Sequence, residues 1–266
     1  VTENSTQQVS VTISENESEP TVTLATSATS IAENAGTSLT LTATLSVATT
    51  ADVTVALSTS GTATEGTDYT DSSGNIDDIV ISAGSTTGTV SFTPTDDSLY
   101  DATSNETATI AISGVSGGSA SESGTQSVTI TITDNESAPT VTLATSGTSI
   151  AENSASTLTI TATLSVATYQ DVTVSIGSSG TATEGTDYGT VSDITISAGA
   201  TTGTATFDPT DDSAETDTVT ATLAITGVSG GSASESGSQS VTISILDDES
   251  VPRVTLSVSA SSIAEN

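Results

Sequence analysis

The chain has 266 residues and a formal net charge of −32, with one Lys or Arg and no His. Because almost no positive side chain is present, nucleic acid is excluded as a partner, and so is docking onto anionic lipid by charge. The chain also lacks Cys, so soft metals such as zinc lose their usual ligands, and catalysis by His or Cys is excluded. No run of about 20 apolar residues is present, so we expect no direct membrane insertion.

A domain-sized internal repeat organises the sequence. The segment Pro20–Ser27 recurs unchanged at Pro139–Ser146, an offset of 139 − 20 = 119 residues, and begins again at Pro252. Solenoid repeats are about 20–50 residues long, whereas this period has the length of a whole domain. We therefore expect two complete domains, 20–138 and 139–251. Residues 1–19 match the end of a preceding repeat and 252–266 the start of a following one, as in a window of a longer tandem array.

Apolar and polar residues alternate along the chain, as half-buried strands require. In the first copy this predicts strands near residues 21–24 (continuing to about 31), 38–45, 52–58, 78–82, 87–92, 107–113 and 127–134. In the second copy the strands are predicted at 140–150, 158–164, 171–176, 192–196, 202–207, 218–225 and 240–246. Seven short antiparallel strands in each copy favour an all-β fold of tandem seven-stranded, immunoglobulin-like sandwiches joined end to end.

The acidic residues are predicted to gather at one end of each sandwich. If the strands alternate in direction, all acids of the first copy except Asp52 and Glu122 fall in or beside loops at one end. In the second copy only Asp171 and Glu235 fall elsewhere. Crowded carboxylates repel one another unless a cation neutralises them, and clusters of oxygen ligands suit Ca²⁺ better than Mg²⁺. This end also leads into the next repeat, so we expect calcium at the junctions.

Four motifs in each copy resemble the Calx-beta domain family. In the first copy they are Ser30–Asn34, Gly61–Tyr69, the pair Asp96–Asp97 and Asp134–Glu136. In the second they are Ile150–Asn153, Gly180–Tyr188, Asp211–Asp212 with Glu215, and Asp247–Glu249. The resemblance implies a seven-stranded, immunoglobulin-like sandwich, and several members of the family bind Ca²⁺ through loops at one end.

The calcium ligands follow from this resemblance together with the gathering of the acids. The resemblance implies ligation by Glu33, Asp68, Asp96, Asp97, Asp134, Glu152, Asp187, Asp211, Asp212, Asp247 and Asp248. We add their acidic neighbours and the matching positions of the terminal fragments, which are Glu15, Glu106, Glu136, Glu215, Asp217 and Glu265. The first copy carries Asn135 where the second has Asp248, and its loop 98–106 lacks the acid matching Glu215. We therefore expect weaker binding in the first copy.

Several other interpretations of the same residues remain open. Asp and Asn side chains commonly close turns by accepting hydrogen bonds from the backbone, without any metal. A carboxylate pair such as Asp96 and Asp97 can act as acid and base in glycoside hydrolysis, but no aromatic-lined cleft is indicated, so we expect no enzyme. Rows of Thr such as Thr40, Thr42 and Thr44 could suggest ice binding, although the wet face of a strand explains them.

Taken together, the sequence predicts a non-catalytic, calcium-stiffened stalk or filament of a bacterial cell surface, such as an adhesin or matrix spacer. Its partners would be the neighbouring repeats of the same chain and other copies in a filament. The alternatives are an adhesive or lattice-forming module that binds a glycan or protein, and a calcium sensor. Near-identical copies favour the stalk, because a sensor usually has diverged sites.

Overall fold

The computed structural model describes residues 8–14, 16, 18–101, 105–259, 261–262 and 265. Within these residues the regular structure is entirely β-strand, and there is no helix long and apolar enough to cross a membrane. The chain forms two compact units. The first comprises Val1–Asp97 and Asn105–Thr133, and the second comprises Ser98–Ser104 and Asp134–Asn266.

The first unit is a pair of sheets. Its strands are β1 (Thr21–Thr26), β2 (Ser30–Ala32), β3 (Leu39–Leu45), β4 (Val53–Gly61), β5 (Tyr69–Thr70), β6 (Ile79–Ile81), β7 (Thr87–Pro94), β9 (Asn105–Ser116), β10 (Ser121–Glu122) and β11 (Ser127–Thr133). One sheet has the order β10-β1-β3-β7-β5, and the other has the order β2-β11-β9-β4-β6.

The second unit repeats this plan. Its strands are β8 (Leu99–Tyr100), β12 (Thr140–Thr145), β13 (Ser149–Ala151), β14 (Leu158–Leu164), β15 (Ala167–Thr168), β16 (Val172–Gly180), β17 (Ile194–Ile196), β18 (Thr202–Phe207), β19 (Val219–Ser229), β20 (Ser234–Glu235) and β21 (Ser240–Leu246). One sheet has the order β18-β14-β12-β20, the other has the order β13-β21-β19-β16-β17, and β15 pairs with β8.

Each unit has its own core between its two sheets. Apolar residues at alternate strand positions supply it, such as Val53 and Val55 in the first unit and Val172 and Val174 in the second. One stacked aromatic pair lies in each core: Tyr69 on Phe92 with ring centroids 4.6 Å apart, and Tyr188 on Phe207 at 4.7 Å. Offset stacking of this kind adds to the free energy of burial. The predicted all-β architecture of tandem sandwiches is confirmed.

The first predicted strand of each copy was wrong in one respect. Residues 21–31 form not one strand but two, because β1 pairs with β3 in one sheet while β2 pairs in parallel with β11 in the other. The physical reason lies in the phase of the apolar residues. Val22 and Leu24 are buried at even positions, whereas Ile31 is buried at an odd one. A single strand cannot turn both sets toward the core, so the chain must break and change sheets.

Candidate metal centre

Two parallel strands end together in the second unit, and both continue into acidic residues. β13 and β21 pair from Ser149 with Ser244 to Ala151 with Leu246. The backbone N–H of Glu152 then donates to the carbonyl of Leu246 at 2.9 Å. Glu152 therefore begins its loop beside the start of the segment Asp247–Glu249. Strand pairing alone brings these carboxylates together.

Three of these carboxylates form a compact cluster, which we call the Glu152 cluster: Glu152, Asp248 and Glu249. One oxygen from each residue lies within 4.8 Å of the others. Glu152 is only 8% exposed. Its Oε1 and the Oε2 of Glu249 are both buried without a hydrogen-bond partner. A buried oxygen without a donor carries a desolvation cost, and these two oxygens each lack one.

The cluster perturbs its most buried member. Burial raises the pKa of Glu152 from 4.5 to about 7, and a hydrogen bond to the Glu249 side chain acts in the same direction. The negative charges of Asp247 and Glu249 contribute to this rise in pKa, while a hydrogen bond from the backbone of Asp248 opposes it. Without a cation, Glu152 therefore keeps a proton close to neutral pH, because a further negative charge is costly there.

Neighbouring hydrogen bonds hold the surrounding acids in place. The amide Nδ2 of Asn153 donates to Asp248 Oδ2 at 2.6 Å. Asp247 Oδ1 accepts from the backbone N–H of Thr216 at 3.0 Å and from its hydroxyl at 3.3 Å. The donor set of the cluster is entirely oxygen, which fits a hard cation, and Ca²⁺ tolerates the irregular arrangement better than Mg²⁺ does. The residues present therefore fit a calcium ion.

The first repeat has equivalent strand ends. β2 pairs with β11 up to Ala32 with Thr133, and the N–H of Glu33 donates to the carbonyl of Thr133 at 3.1 Å. The carboxylate that follows Thr133 is Asp134. Asn135 stands where the second repeat has Asp248, and its side-chain amide donates to Glu136 Oε1 at 2.8 Å. Glu136 Oε2 is buried without a partner, as is its counterpart on Glu249.

Comparison with known families identifies the chain. The model of the Calx-beta domain matches twice, at residues 15–136 and 134–249. The chain belongs to the Calx-beta domain family. A crystal structure of CBD12 from CALX1.2 is 14% identical and has a TM-score of 0.38, with 84% of this chain and 99% of that chain covered. Invasin, a bacterial integrin-binding protein, is 18% identical with a TM-score of 0.39, over 86% of this chain and 40% of that one. No curated protein matches the chain significantly.

The aspartates of the Gly61–Tyr69 motif and its copy do not join the Glu152 cluster. Asp68 Oδ2 accepts from the backbone N–H of Thr64 at 2.6 Å, and Asp187 Oδ2 accepts from Thr183 at 2.6 Å. In both Calx-beta repeats this carboxylate closes the turn that precedes a buried tyrosine. This is the turn chemistry that the sequence left open as the alternative to ligation. Ligation by these two residues stays a prediction.

The remaining predicted ligands have other surroundings. Asp212 Oδ1 accepts from the N–H of Ala214 at 2.6 Å, and Glu106 lies within β9 opposite Ile132. Glu15 lies outside the described residues. Exposed positions are occupied by Asp96, Asp97, Asp211, Asp212, Glu215, Asp217 and Glu265. The Glu152 cluster includes none of them, so their part in ligation also stays a prediction.

Sequence reasoning missed Glu249 as a member of the cluster. The signal was available, because Glu136 occupies the same position in the first copy and was named as a ligand. Asp247 and Asp248 were predicted as calcium ligands, whereas Glu249, the next residue, was not. The Oε2 of Glu249 is buried without a hydrogen-bond partner, as is expected of an oxygen that could contact a cation.

Several acids of the crowded end are structural. Asp71 is buried and accepts backbone N–H bonds from Ser73, Gly74 and Asp77. Burial pushes the pKa of Asp71 upward, but the hydrogen bonds from Ser73, Asp77 and Gly74 hold it below its usual value. In the sheets, Asp78 and Asp193 accept from Leu57 and Ile176, the residues at which the ladders shift register. These carboxylates satisfy the backbone of loops and bulges.

Proposed function

We propose that this chain is a non-catalytic, calcium-binding structural protein whose Calx-beta repeats form a stalk or spacer on the cell surface. One observation carries the proposal: the buried Glu152 has an oxygen without a hydrogen-bond partner, and it lies in a cluster with Asp248 and Glu249. A group of acids at an exposed surface would be solvated and would need no cation. A buried, unpartnered carboxylate oxygen beside two further carboxylates favours a bound cation or a retained proton.

The chemistry of the site is charge compensation. Ca²⁺ would be held by oxygens of Glu152, Asp248 and Glu249, and it would replace the proton that Glu152 otherwise keeps. Binding should therefore release protons near neutral pH. Extracellular calcium modules bind with Kd values of about 10⁻⁴–10⁻³ M, and a ligand at ~100 times its Kd stabilises the folded state by about 2.7 kcal/mol.

The position of the cluster in the chain suggests the mechanical role. Asp248 and Glu249 lie in the linker that follows β21, a few residues before Pro252, where the next repeat sequence starts. Ligation together with Glu152 would tie this linker to the end of β13. A linker held at several atoms samples fewer conformations, so calcium would stiffen the chain between repeats. The high negative charge and the near-absence of Lys and Arg suit an exposed extracellular polymer.

The first experiment is thermal unfolding of the full chain in chelator and in a calcium series at pH 7.5. The matched pair of variants is Glu152→Gln and Glu235→Gln. Both remove one carboxylate from the second repeat, and Glu235 accepts a hydrogen bond from the N–H of Gln239, which Gln could also accept. Calcium should raise the Tm of the wild type and of Glu235→Gln by several degrees. Glu152→Gln should lose most of the gain in the second unit.

An equal calcium response in both variants would contradict the Glu152 cluster as the site. Small-angle scattering then tests the stalk separately. Calcium should increase the maximum interatomic distance and reduce the spread of conformations in the wild type. The change should be smaller in Glu152→Gln. A thermal gain without any change in scattering would leave calcium binding in place and refute the stiffening role.

A further inference from the structure

The two repeats contain the same turn after their third strand. Val47–Asp52 follows β3, and Val166–Asp171 occupies the same place after β14. In each turn a Thr hydroxyl closes the bend: Thr49 Oγ1 donates to the carbonyl of Ala51 at 2.6 Å, and Thr168 Oγ1 to that of Gln170 at 2.5 Å. A glycine N–H donates to the Thr carbonyl at 2.8 Å in both. The two turns are therefore built alike.

In the second unit this turn is covered. Ala167 and Thr168 form β15, which pairs in parallel with β8, so that Ala167 lies opposite Leu99 and Thr168 opposite Tyr100. Ala167 is 8% exposed and Thr168 is 1% exposed. An extended Leu–Tyr segment thus covers the turn and buries apolar surface there, which favours the contact.

In the first unit no strand among the described residues pairs with the same turn, although Thr49 there is only 7% exposed. Ala48, the counterpart of Ala167, is exposed, and the preceding Val47 is 41% exposed, whereas Val166 is half-buried. The turn lines a hollow with a volume of about 720 Å³, and Pro20, Gly118 and Ser119 contribute to its walls. Surface that the second unit covers with a Leu–Tyr segment is left exposed in the first.

We propose that this hollow is an acceptor for an extended loop of another Calx-beta repeat that carries an apolar residue followed by an aromatic one, as Leu99 and Tyr100 do. The covered turn of the second unit gives the expected register, with the apolar residue opposite Ala48 and the aromatic one opposite Thr49. When an extended segment pairs with a strand edge, hydrogen bonds between the two backbones supply the affinity, and side-chain contacts supply the selectivity.

The identity of the occupant follows from the loop that covers the second unit. The matching loop of the second repeat has Ala214 and Glu215 where the first has Leu99 and Tyr100. A loop with Ala and Glu at these positions would bring a negative charge and little apolar surface to a strongly acidic protein. A loop with Leu and Tyr brings apolar surface without charge, so it fits the hollow. The inference goes beyond the proposed function, because it does not depend on calcium.

The test is an NMR titration of the isotope-labelled full chain, in chelator, with a capped peptide of the sequence of residues 95–101. The amide resonances of Ala48 and Thr49 should move and saturate, with a Kd on the order of 1 mM. A peptide with Leu99→Ser and Tyr100→Ser should leave them in place. In the protein, Val47→Glu should weaken binding at least tenfold, whereas Val80→Glu, at a position 52% exposed on β6, should not.

Three results would overturn the inference. The resonances of residues 47–51 could stay still at several millimolar peptide, or the serine peptide could move them equally. Shifts confined to Ala167 and Thr168 would mean that the peptide only exchanges with β8 in the second unit. Because the titration contains no calcium, its outcome is independent of the thermal test of the Glu152 cluster.

Discussion

The two repeats share one frame and differ most in their loops. β1 pairs with β3 from Val22 with Leu45 onward, and β12 pairs with β14 from Val141 with Leu164, the same register at an offset of 119. The long ladders of the second sheet shift register at matching places, next to Leu57 and Ile176. Core packing and strand register have thus been retained through the duplication.

The main differences lie outside the long strands. Between the buried Tyr and the next strand, the first repeat has a longer loop, organised around Asp71, which the second repeat lacks. Asn135 replaces Asp248 in the linker, and the loop with Leu99 and Tyr100 is replaced by one with Ala214 and Glu215. Binding properties can therefore change by substitution in the loops while the frame stays constant, because loop residues carry little of the core's packing energy.

The largest expected effect is the loss of stability when the buried Phe of each unit is removed, and it tests whether the two cores are equivalent. Phe92→Ala and Phe207→Ala each remove a fully buried ring that stacks on a tyrosine. Each should destabilise its own unit by about 3–5 kcal/mol, because a cavity replaces the ring. Hydrogen exchange resolved by residue measures the two units separately. A cost that differs by more than about 2 kcal/mol between the two units would break the equivalence.

The next effect is the pH dependence of the second unit without calcium. Because the pKa of folded Glu152 is raised from 4.5 to about 7, the folded state holds its proton more tightly than the unfolded state does. Stability from this group is complete below about pH 4.5, falls as the pH rises, and is lost above about pH 7. The loss amounts to about 3 kcal/mol. Chemical denaturation in chelator should show it in the wild type and not in Glu152→Gln.

Calcium should reverse this pH trend. As Glu152 gives up its proton on binding, the stabilisation by calcium should grow between pH 5.5 and pH 8 in the wild type. Calorimetry in buffers of different ionisation enthalpy would count the released protons. Binding with no proton release at pH 6.5 would mean that the ion does not contact Glu152.

A smaller effect is expected from exchanging the linker residues. Asp248→Asn gives the second repeat the residue of the first, and Asn135→Asp does the reverse. Each lost carboxylate should weaken calcium binding about tenfold, or ~1.4 kcal/mol, and the gained one should strengthen it by a similar factor. Isothermal titration of both variants, with Glu235→Gln as the control, measures the change. Unchanged affinities in both would remove the linker acid from the site.

The smallest effect concerns the turns closed by Asp68 and Asp187. Each of these half-buried aspartates accepts one short hydrogen bond from a backbone N–H at 2.6 Å. Asp68→Ala and Asp187→Ala should each cost about 1 kcal/mol of stability in chelator. If these residues are turn closers only, the calcium affinity should not change. If Asp68→Ala or Asp187→Ala lowers the calcium affinity, the result would instead support the ligand role predicted from the sequence.

Much of the fold could be predicted from the alternation of apolar and polar residues. Strand β3, with Leu39, Leu41 and Ala43, coincides closely with its predicted range. The two-residue strands β10 and β20 were missed because a pair of residues has no period to detect. The break between β1 and β2 was missed although the shift in phase at Ile31 was visible, because the whole segment was treated as one strand.

The site could be predicted in part. The resemblance to the Calx-beta family, together with the gathering of the acids, placed Glu152 and Asp248 among the predicted ligands. The sequence could not rank Glu152 above the exposed Asp211 or Asp217, because burial depends on what packs around a carboxylate and not on its neighbours in the chain. The same limit applies to Asp71, which is held by backbone donors of its own loop.

The sequence by itself determined the duplication, the all-β class, the acidic surface and the absence of ligands for soft metals, because these depend on residue type and spacing alone. The tertiary structure decided which of the many carboxylates meet. Parallel pairing of β13 with β21 brings Glu152 beside the linker acids, and burial leaves one of its oxygens without a partner. It also decided that one Ala–Thr turn pairs with a strand, whereas no described strand pairs with its copy, since covering depends on a segment distant in the chain. Long-range pairing sets both features, and no local pattern encodes it.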